Sequence, residues 1–272
     1  MKIKRCILGI PARLKSSRLP NKILADINGF PMIKRVIDRC NKVKNAYGVV
    51  VCTEDQEIFN LVKSWGGECL LTSNNFKSGS ERLSSVTNKM MKICWGDEYY
   101  LSSAAAKQNF IKETGIINIQ GDQPFIDPNV ITKLIDIFSS DENPPDVITP
   151  IYKLNPNSIH DSSVVKTLIS STGRAIYFSR SSIPHIRDIP AKEWYKHYDY
   201  WGHVGIYGYK AEILSKWSSI PNSHLESLEK LEQLKLIEAG YNFQTFKIGG
   251  TSLSVDTKYQ LEEAINIAIK ND

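Results

Sequence analysis

Short, continuously apolar runs recur through the first half of this chain, and each is followed by a stretch with helical spacing. "CILGI" precedes "PMIKRVIDRCNKV", in which Met32, Ile33, Val36, Ile37 and Cys40 share one helical face. "YGVVVCT" precedes "EDQEIFNLVKSWGG", and "CLLT" precedes "SGSERLSSVTNKMM", which opens with a Ser78 and Glu81 capping pattern. "GIINIQGD" closes the series at Asp122. Strands without polar alternation are buried on both faces, so this order predicts a mainly parallel sheet covered by helices. None of the runs approaches the roughly 20 apolar residues of a membrane span.

Beyond Pro144-Pro145 the texture changes. "DVITPIYKL", "SSVVKTLIS" and "AIYFSRSSI" are consecutive strand-like pieces with turns at Asn155-Pro156 and Thr172-Gly173. They predict a β-rich insert over residues 148–212 within an α/β domain made of 1–147 and 213–272. "HLESLEKLEQLKLIEAG" reads as one helix ended by Gly240, followed by a strand "NFQTFKI" and a closing helix "TKYQLEEAINIAIK". Residues 95–115 fit no clean pattern and read as a partly helical surface excursion.

The net charge of +5, from 34 basic and 29 acidic residues, suits an anionic small molecule. The basic residues are dispersed and lack a nucleic-acid motif, which argues against nucleic-acid binding. Five cysteines without a CxxC pair argue against a disulfide framework or zinc site, and with the short N-terminal apolar run they point to a reducing, cytoplasmic setting.

In open α/β sheets ligands bind beyond the carboxyl ends of the strands. The loop after the first strand, "PARLKSSRLPNK", carries Arg13, Lys15, Arg18 and Lys22 there, held in a restricted shape by Pro11 and Pro20. Such cations can neutralise a polyphosphate. Neither GxxxxGKS/T nor GxGxxG occurs, so side chains would hold the phosphates. Asp122 projects from another strand end. Asp256, in "SVDTKYQ", reads either as a cap of the last helix or as a second carboxylate in the same cleft; two carboxylates of this kind suit Mg²⁺. His203 lies in "GHVGIYGY", where a structural role and a substrate contact are both open.

Seven separated stretches, "IPARLKSSRLPNKILADINGFPMI", "SGSER", "INIQGDQPFI", "AIYFSRSSIP", "GHVGIYGYKAEIL", "LESLEKLEQLKLIEAG" and "SVDTKYQLEEA", resemble the 3-deoxy-manno-octulosonate (Kdo) cytidylyltransferases in order and spacing over essentially the whole chain. The resemblance implies a Rossmann-like nucleotidyltransferase domain with a smaller β-rich dimerisation subdomain. It implies transfer of CMP from CTP to a 2-keto-3-deoxy sugar acid, with Mg²⁺, in a homodimer. Arg13, Ser16, Arg18, Lys22 and Arg82 would bind the nucleotide, and Asp122 and Asp256 the metal. Arg13, Lys22, Asp122 and Asp256 would form the catalytic group. Gln120, Arg180, His203, Tyr207, Glu232 and Gln233 would surround the sugar acid.

Three features depart from the family pattern. Gln123 stands where the family reads Glu in "GDEP", Trp201-Gly202 precede the histidine where relatives often carry Arg or Lys, and the 95–115 excursion is long. An 8-amino-Kdo or another ulosonic acid is therefore an alternative substrate, and a catalytically silent sensor of CTP a more distant one.

Overall fold

The computed structural model describes residues 1–272 apart from Ser17, Thr251, Ser252 and Asp272. The fold is mixed α/β, and the chain divides into two compact units. The first comprises Met1–Pro144, Gly208–Trp217 and Ser252–Asp272, and the second Pro145–Tyr207 and Ser218–Thr251. Residues 218–251, which the sequence groups with the α/β domain, cluster with the second unit.

In the first unit, β1 (Arg5–Ala12) lies beside the short hairpin of β2 (Asp26–Ile27) and β3 (Phe30–Pro31) in sequence, while β4 (Val49–Thr53), β5 (Glu68–Leu71) and β6 (Thr114–Ile119) complete its sheet. The sheet order is β5-β4-β1-β6, with every pair parallel. Ile7, Leu8, Ile10, Val50, Cys52, Ile116, Ile117 and Ile119 are completely buried. Burial on both faces is why these strands read as unbroken apolar runs. Helix Met32–Cys40 turns Met32, Ile33, Val36, Ile37 and Cys40 inward, the face its spacing predicts.

The excursion is more helical than the sequence suggests, with helices at Asp97–Leu101 and Ala104–Lys112. Neither helix buries a residue, so neither carries the apolar stripe from which helices are read. The segment is fastened through aromatic contacts instead. Trp95 packs on Phe110 with ring centroids 4.3 Å apart, and the Arg5 guanidinium lies over Trp95 and Tyr47 at 4.3 and 4.8 Å.

The second unit contains β7 (Val147–Lys153), β8 (Lys166–Ile169), β9 (Ala175–Ser179) and β10 (Trp201–His203), joined by antiparallel pairings in the order β7-β10-β8-β9. The chain passes between units within β11 (Ile206–Lys210), and β12 (Phe243–Ile248) runs parallel to β7. The predicted single helix over residues 224–240 is two helices, His224–Glu229 and Leu234–Glu238. Lys230 adopts a left-handed conformation at φ 55° and ends the first. Tertiary bonds favour the break: Arg180 Nε donates to the Glu229 carbonyl at 2.8 Å, satisfying an orphan acceptor of the last turn. No glycine or proline marks this break, so periodicity passes straight through it.

Gly202 explains itself once β10 is seen against β7. A Cβ there would lie 2.6 Å from both Leu154 Cδ2 and Tyr152 Cζ, so the space that a longer side chain would need is filled by Tyr152 and Leu154. Gly202→Ala should therefore destabilise the protein by about 1–3 kcal/mol through overpacking, read as a lower urea midpoint at unchanged slope. An unchanged midpoint would mean that Tyr152 can move aside at little cost.

Candidate active site

In the first unit the strand ends converge on a cleft of about 210 Å³. Its lining includes Arg13, Ser16, Arg18, Lys22, Arg82, Gln120, Asp122 and Asp256, so the structure gathers in one place every residue assigned to nucleotide and metal, and Gln120 with them. Lys15 of the basic loop and Gly79 of "SGSER" line it too, as do Phe76 and Lys77, to which sequence reasoning assigned no role. Lys77, Ser78 and Gly79 sit at the start of helix Gly79–Trp95, where Ser78 Oγ accepts from Glu81 N at 3.2 Å and Glu81 accepts from Lys77 N at 2.6 Å. This reciprocal cap leaves a positive helix end at a basic cleft, an arrangement suited to phosphates.

The basic loop is anchored at both ends. Leu14 N donates to Asp55 Oδ2 at 2.8 Å, and Asn21, left-handed at φ 54°, starts the turn Lys22–Leu24 that carries Lys22 inward. Gly121 lets that turn close, since a Cβ would lie 2.9 Å from Ile23 Cδ1 and 3.2 Å from the Pro11 carbonyl oxygen. Asp122 and Asp256 come together because Val255 N donates to the Asp122 carbonyl at 2.9 Å. Asp256 is not the helix cap. Thr257 and Gln260 cap the last helix reciprocally, Gln260 Oε1 accepting from the backbone of Asp256 and Thr257 and Thr257 Oγ1 accepting from Gln260 N.

The Asp256 carboxylate therefore faces the cleft. Lys22 Nζ bridges Asp122 Oδ2 at 2.6 Å and Asp256 Oδ1 at 2.7 Å, while Arg18 reaches Asp256 Oδ2 at 2.9 Å. Burial alone would lower the Lys22 pKa, yet the two carboxylates outweigh it and hold the ammonium above its usual range. The lysine is thus a cation standing where hard oxygen donors meet, and two such carboxylates fit Mg²⁺, which takes few protein ligands.

Arg82 lines the cleft but is tied elsewhere. Its guanidinium is bound to Glu54 at 2.5 Å and to Thr72 Oγ1 at 2.7 Å, holding the approach to Ser78.

The second unit forms its own polar cluster. Tyr207 Oη donates to Gln233 Oε1 at 3.0 Å, and the His203 ring lies against Tyr207 and Phe178 at centroid distances of 5.3 and 4.9 Å. His203 Nε2 meets Thr149 Oγ1 at 3.0 Å. Burial, then the charge of Glu232, keeps the Tyr207 hydroxyl protonated far above its ordinary range. Gln233 Nε2 is buried and has no hydrogen-bond partner, which leaves a donor available to an acceptor atom of a ligand. Arg180 belongs to another network, bonded through Nε and its backbone N to Glu229 and through Nη1 to the Ser162 carbonyl at 3.1 Å. Its own carbonyl accepts from the buried Lys166.

Burial pushes the His203 imidazole down to about 3, so it is neutral near pH 7. Between its ordinary 6.5 and about 3 the unfolded chain takes up a proton that the folded chain refuses, so stability falls as pH drops through that window. His203→Gln should remove this contribution. Urea unfolding at about pH 7 and about pH 4.5 should show a smaller loss in the variant than in the parent; equal losses would mean that His203 titrates normally in the folded protein.

Gln123 is buried, does not line the first unit's cleft, and leaves its Oε1 without a partner. Nothing in the structure explains why an amide stands there.

A family model described as Cytidylyltransferase matches residues 7–248. The chain is 34% identical over 261 residues to a 3-deoxy-manno-octulosonate cytidylyltransferase of Chlorobaculum tepidum, covering 94% of each protein. It is 36% identical over 251 residues to an 8-amino-3,8-dideoxy-manno-octulosonate cytidylyltransferase of Shewanella sp., covering 92% of this chain and 93% of that relative. A solved CMP:2-keto-3-deoxy-manno-octonic acid synthetase complexed with CTP superposes with a TM-score of 0.82 at 33% identity, over 99% of this chain and 100% of that one. With the cleft, the paired aspartates and matches that span both units, the chain belongs to the cytidylyltransferase family.

Proposed function

We propose that the protein couples CTP to Kdo or a close 8-carbon analogue, giving a CMP-sugar and pyrophosphate for a lipopolysaccharide-type surface glycan. The observation that carries this reading is the cleft in which basic side chains, a helix N-terminus and two aspartates meet. The anomeric hydroxyl oxygen forms a bond to the α-phosphorus, the bond from that phosphorus to the bridging oxygen breaks, and pyrophosphate leaves as the hydroxyl proton passes to solvent.

Arg13, Ser16, Arg18 and Lys22 hold the triphosphate and offset the charge that gathers on the departing pyrophosphate. Asp122 and Asp256 would hold Mg²⁺. When bound, that ion supplies charge neutralisation at the α-phosphate and acidifies the attacking hydroxyl. Among the second unit's residues, Tyr207, His203 and Gln233 orient the sugar acid, with Glu232 beside them; Gln120 lines the first unit's cleft. His203, neutral and only partly exposed, serves as a hydrogen-bonding group and not as a base. Arg180 acts by fixing the Glu229 end of helix His224–Glu229, on which the Glu232-Gln233 turn depends. Functionally, the first unit is the nucleotide domain and the second carries the sugar-acid residues and the homodimer contact. Cytoplasmic operation is part of this reading; separately, no helix among the described residues is long and apolar enough to cross a membrane.

The relative named for 8-amino-3,8-dideoxy-manno-octulosonate keeps the amino sugar acid as the alternative substrate. Pyrophosphate release with CTP, Mg²⁺ and each of the two acids decides between them through kcat/KM. Release with neither acid, together with tight CTP binding, would favour a CTP sensor instead.

A further inference from the structure

Three oxygens of the two aspartates are engaged by cations of the chain itself, two of them by one partly buried ammonium. Lys22 Nζ lies 2.6 Å from Asp122 Oδ2 and 2.7 Å from Asp256 Oδ1, with its side chain only 14% exposed, and Arg18 takes Asp256 Oδ2 at 2.9 Å. Mg²⁺ would lie about 2.0–2.1 Å from the same carboxylate oxygens, so it competes with this ammonium for them and is repelled by its charge. Metal entry is therefore opposed while Lys22 stays. Without a new anion to receive it, the displaced ammonium would be largely buried, unpaired and next to a dication, which is costly. A triphosphate removes that obstacle, because the lysine can turn from the carboxylates to phosphate oxygens within the same cleft.

We propose that Lys22 is an internal lock on the two-aspartate site, excluding free divalent ions and yielding only when a polyphosphate arrives, so that nucleotide and metal load together. This rests on the assignment of Asp122 and Asp256 to the metal. Arg18 is a lesser part of the lock, since it is 64% exposed and meets one oxygen. The coupling is reciprocal: CTP strengthens metal binding by the factor by which metal strengthens CTP binding. The purpose is chemical economy at the cleft, since a metal bound alone would order the carboxylates without a substrate to neutralise.

The test is Mn²⁺ binding followed by water-proton relaxation, which separates a protein-bound ion from Mn²⁺–CTP free in solution. No sugar acid is added, so turnover plays no part. Without nucleotide, Lys22→Met should bind Mn²⁺ at least about tenfold more tightly than the parent, whereas Lys22→Arg, which keeps the charge, should stay within about threefold of it. Arg18→Gln, at an exposed position where folding is safe, should gain roughly threefold. With CTP, the parent should form a ternary complex that Asp256→Asn loses.

Failure of the parent to form that complex would overturn the metal assignment and the lock with it. A ternary complex in the parent with no gain in either Lys22→Met or Arg18→Gln would overturn the lock alone. If Lys22→Met fails to fold, parity between Arg18→Gln and the parent decides against it.

Discussion

Asp122→Asn should lower kcat by about 100-fold or more, on the order of the loss seen when one preorganised charge-stabilising group is removed. The amide keeps the shape of the carboxylate and its place in the turn that follows β6, so the Val255 N bond to the Asp122 carbonyl is untouched. What disappears is the negative charge. One consequence is a metal held by a single carboxylate against phosphates that compete for it. Another is that Lys22 loses its 2.6 Å partner and is left with Asp256 alone, which changes the charge that the triphosphate meets. CTP binding measured without metal should therefore be no weaker than in the parent, while the Mg²⁺ concentration for half-maximal rate should rise about tenfold or more. Near-normal kcat at moderate Mg²⁺ would remove Asp122 from the metal site. Asp256→Asn should behave alike, with the added release of Arg18.

How much of this was legible depended on whether a residue's role is local. The strands of the first unit were readable because burial on both faces writes itself as an apolar run, and helix Met32–Cys40 because one face is buried. The two short helices of the excursion bury nothing and are pinned by Trp95, Phe110 and Arg5, so no periodic signal exists to read. Lys230 breaks a helix for reasons that lie in Arg180 and Glu229, 49 residues apart in sequence.

The site divides along the same line. The cations of the basic loop were visible as a cluster in sequence, but the cap ambiguity at Asp256 is resolved by Thr257 and Gln260, whose reciprocal bonds relieve Asp256 of that task. That pattern is local, and a capping-box reading of "TKYQ" could have found it. Tyr207 and Gln233 meet through tertiary structure, and only family resemblance named them in advance. The unpartnered Gln233 Nε2 had no sequence signature at all.

Arg82 is where resemblance and geometry assign different work to one side chain, and its replacement should have the largest effect on stability. The side chain is 3% exposed, its partner Glu54 is 9% exposed, and the two are joined at 2.5 Å with Thr72 Oγ1 as a further acceptor at 2.7 Å. Arg82→Met should cost about 3–5 kcal/mol, because it leaves a buried carboxylate unpaired. In Arg82→Met combined with Glu54→Gln that charge is gone, so most of the loss should be recovered, and the urea midpoint of the double variant should lie well above that of Arg82→Met alone. The double variant also separates the two roles. If the guanidinium acts by clamping the segment from Thr72 to Ser78, the Arg82→Met protein should show its defect chiefly in unfolding, and restored stability should bring back much of the CTP affinity. If the guanidinium contacts the nucleotide directly, the double variant should be stable yet keep a KM for CTP raised about tenfold or more, the loss expected for a charged hydrogen bond. A cost below about 1 kcal/mol in Arg82→Met would refute the clamp, since a surface pair contributes no more than that and this pair would then be behaving as an exposed one.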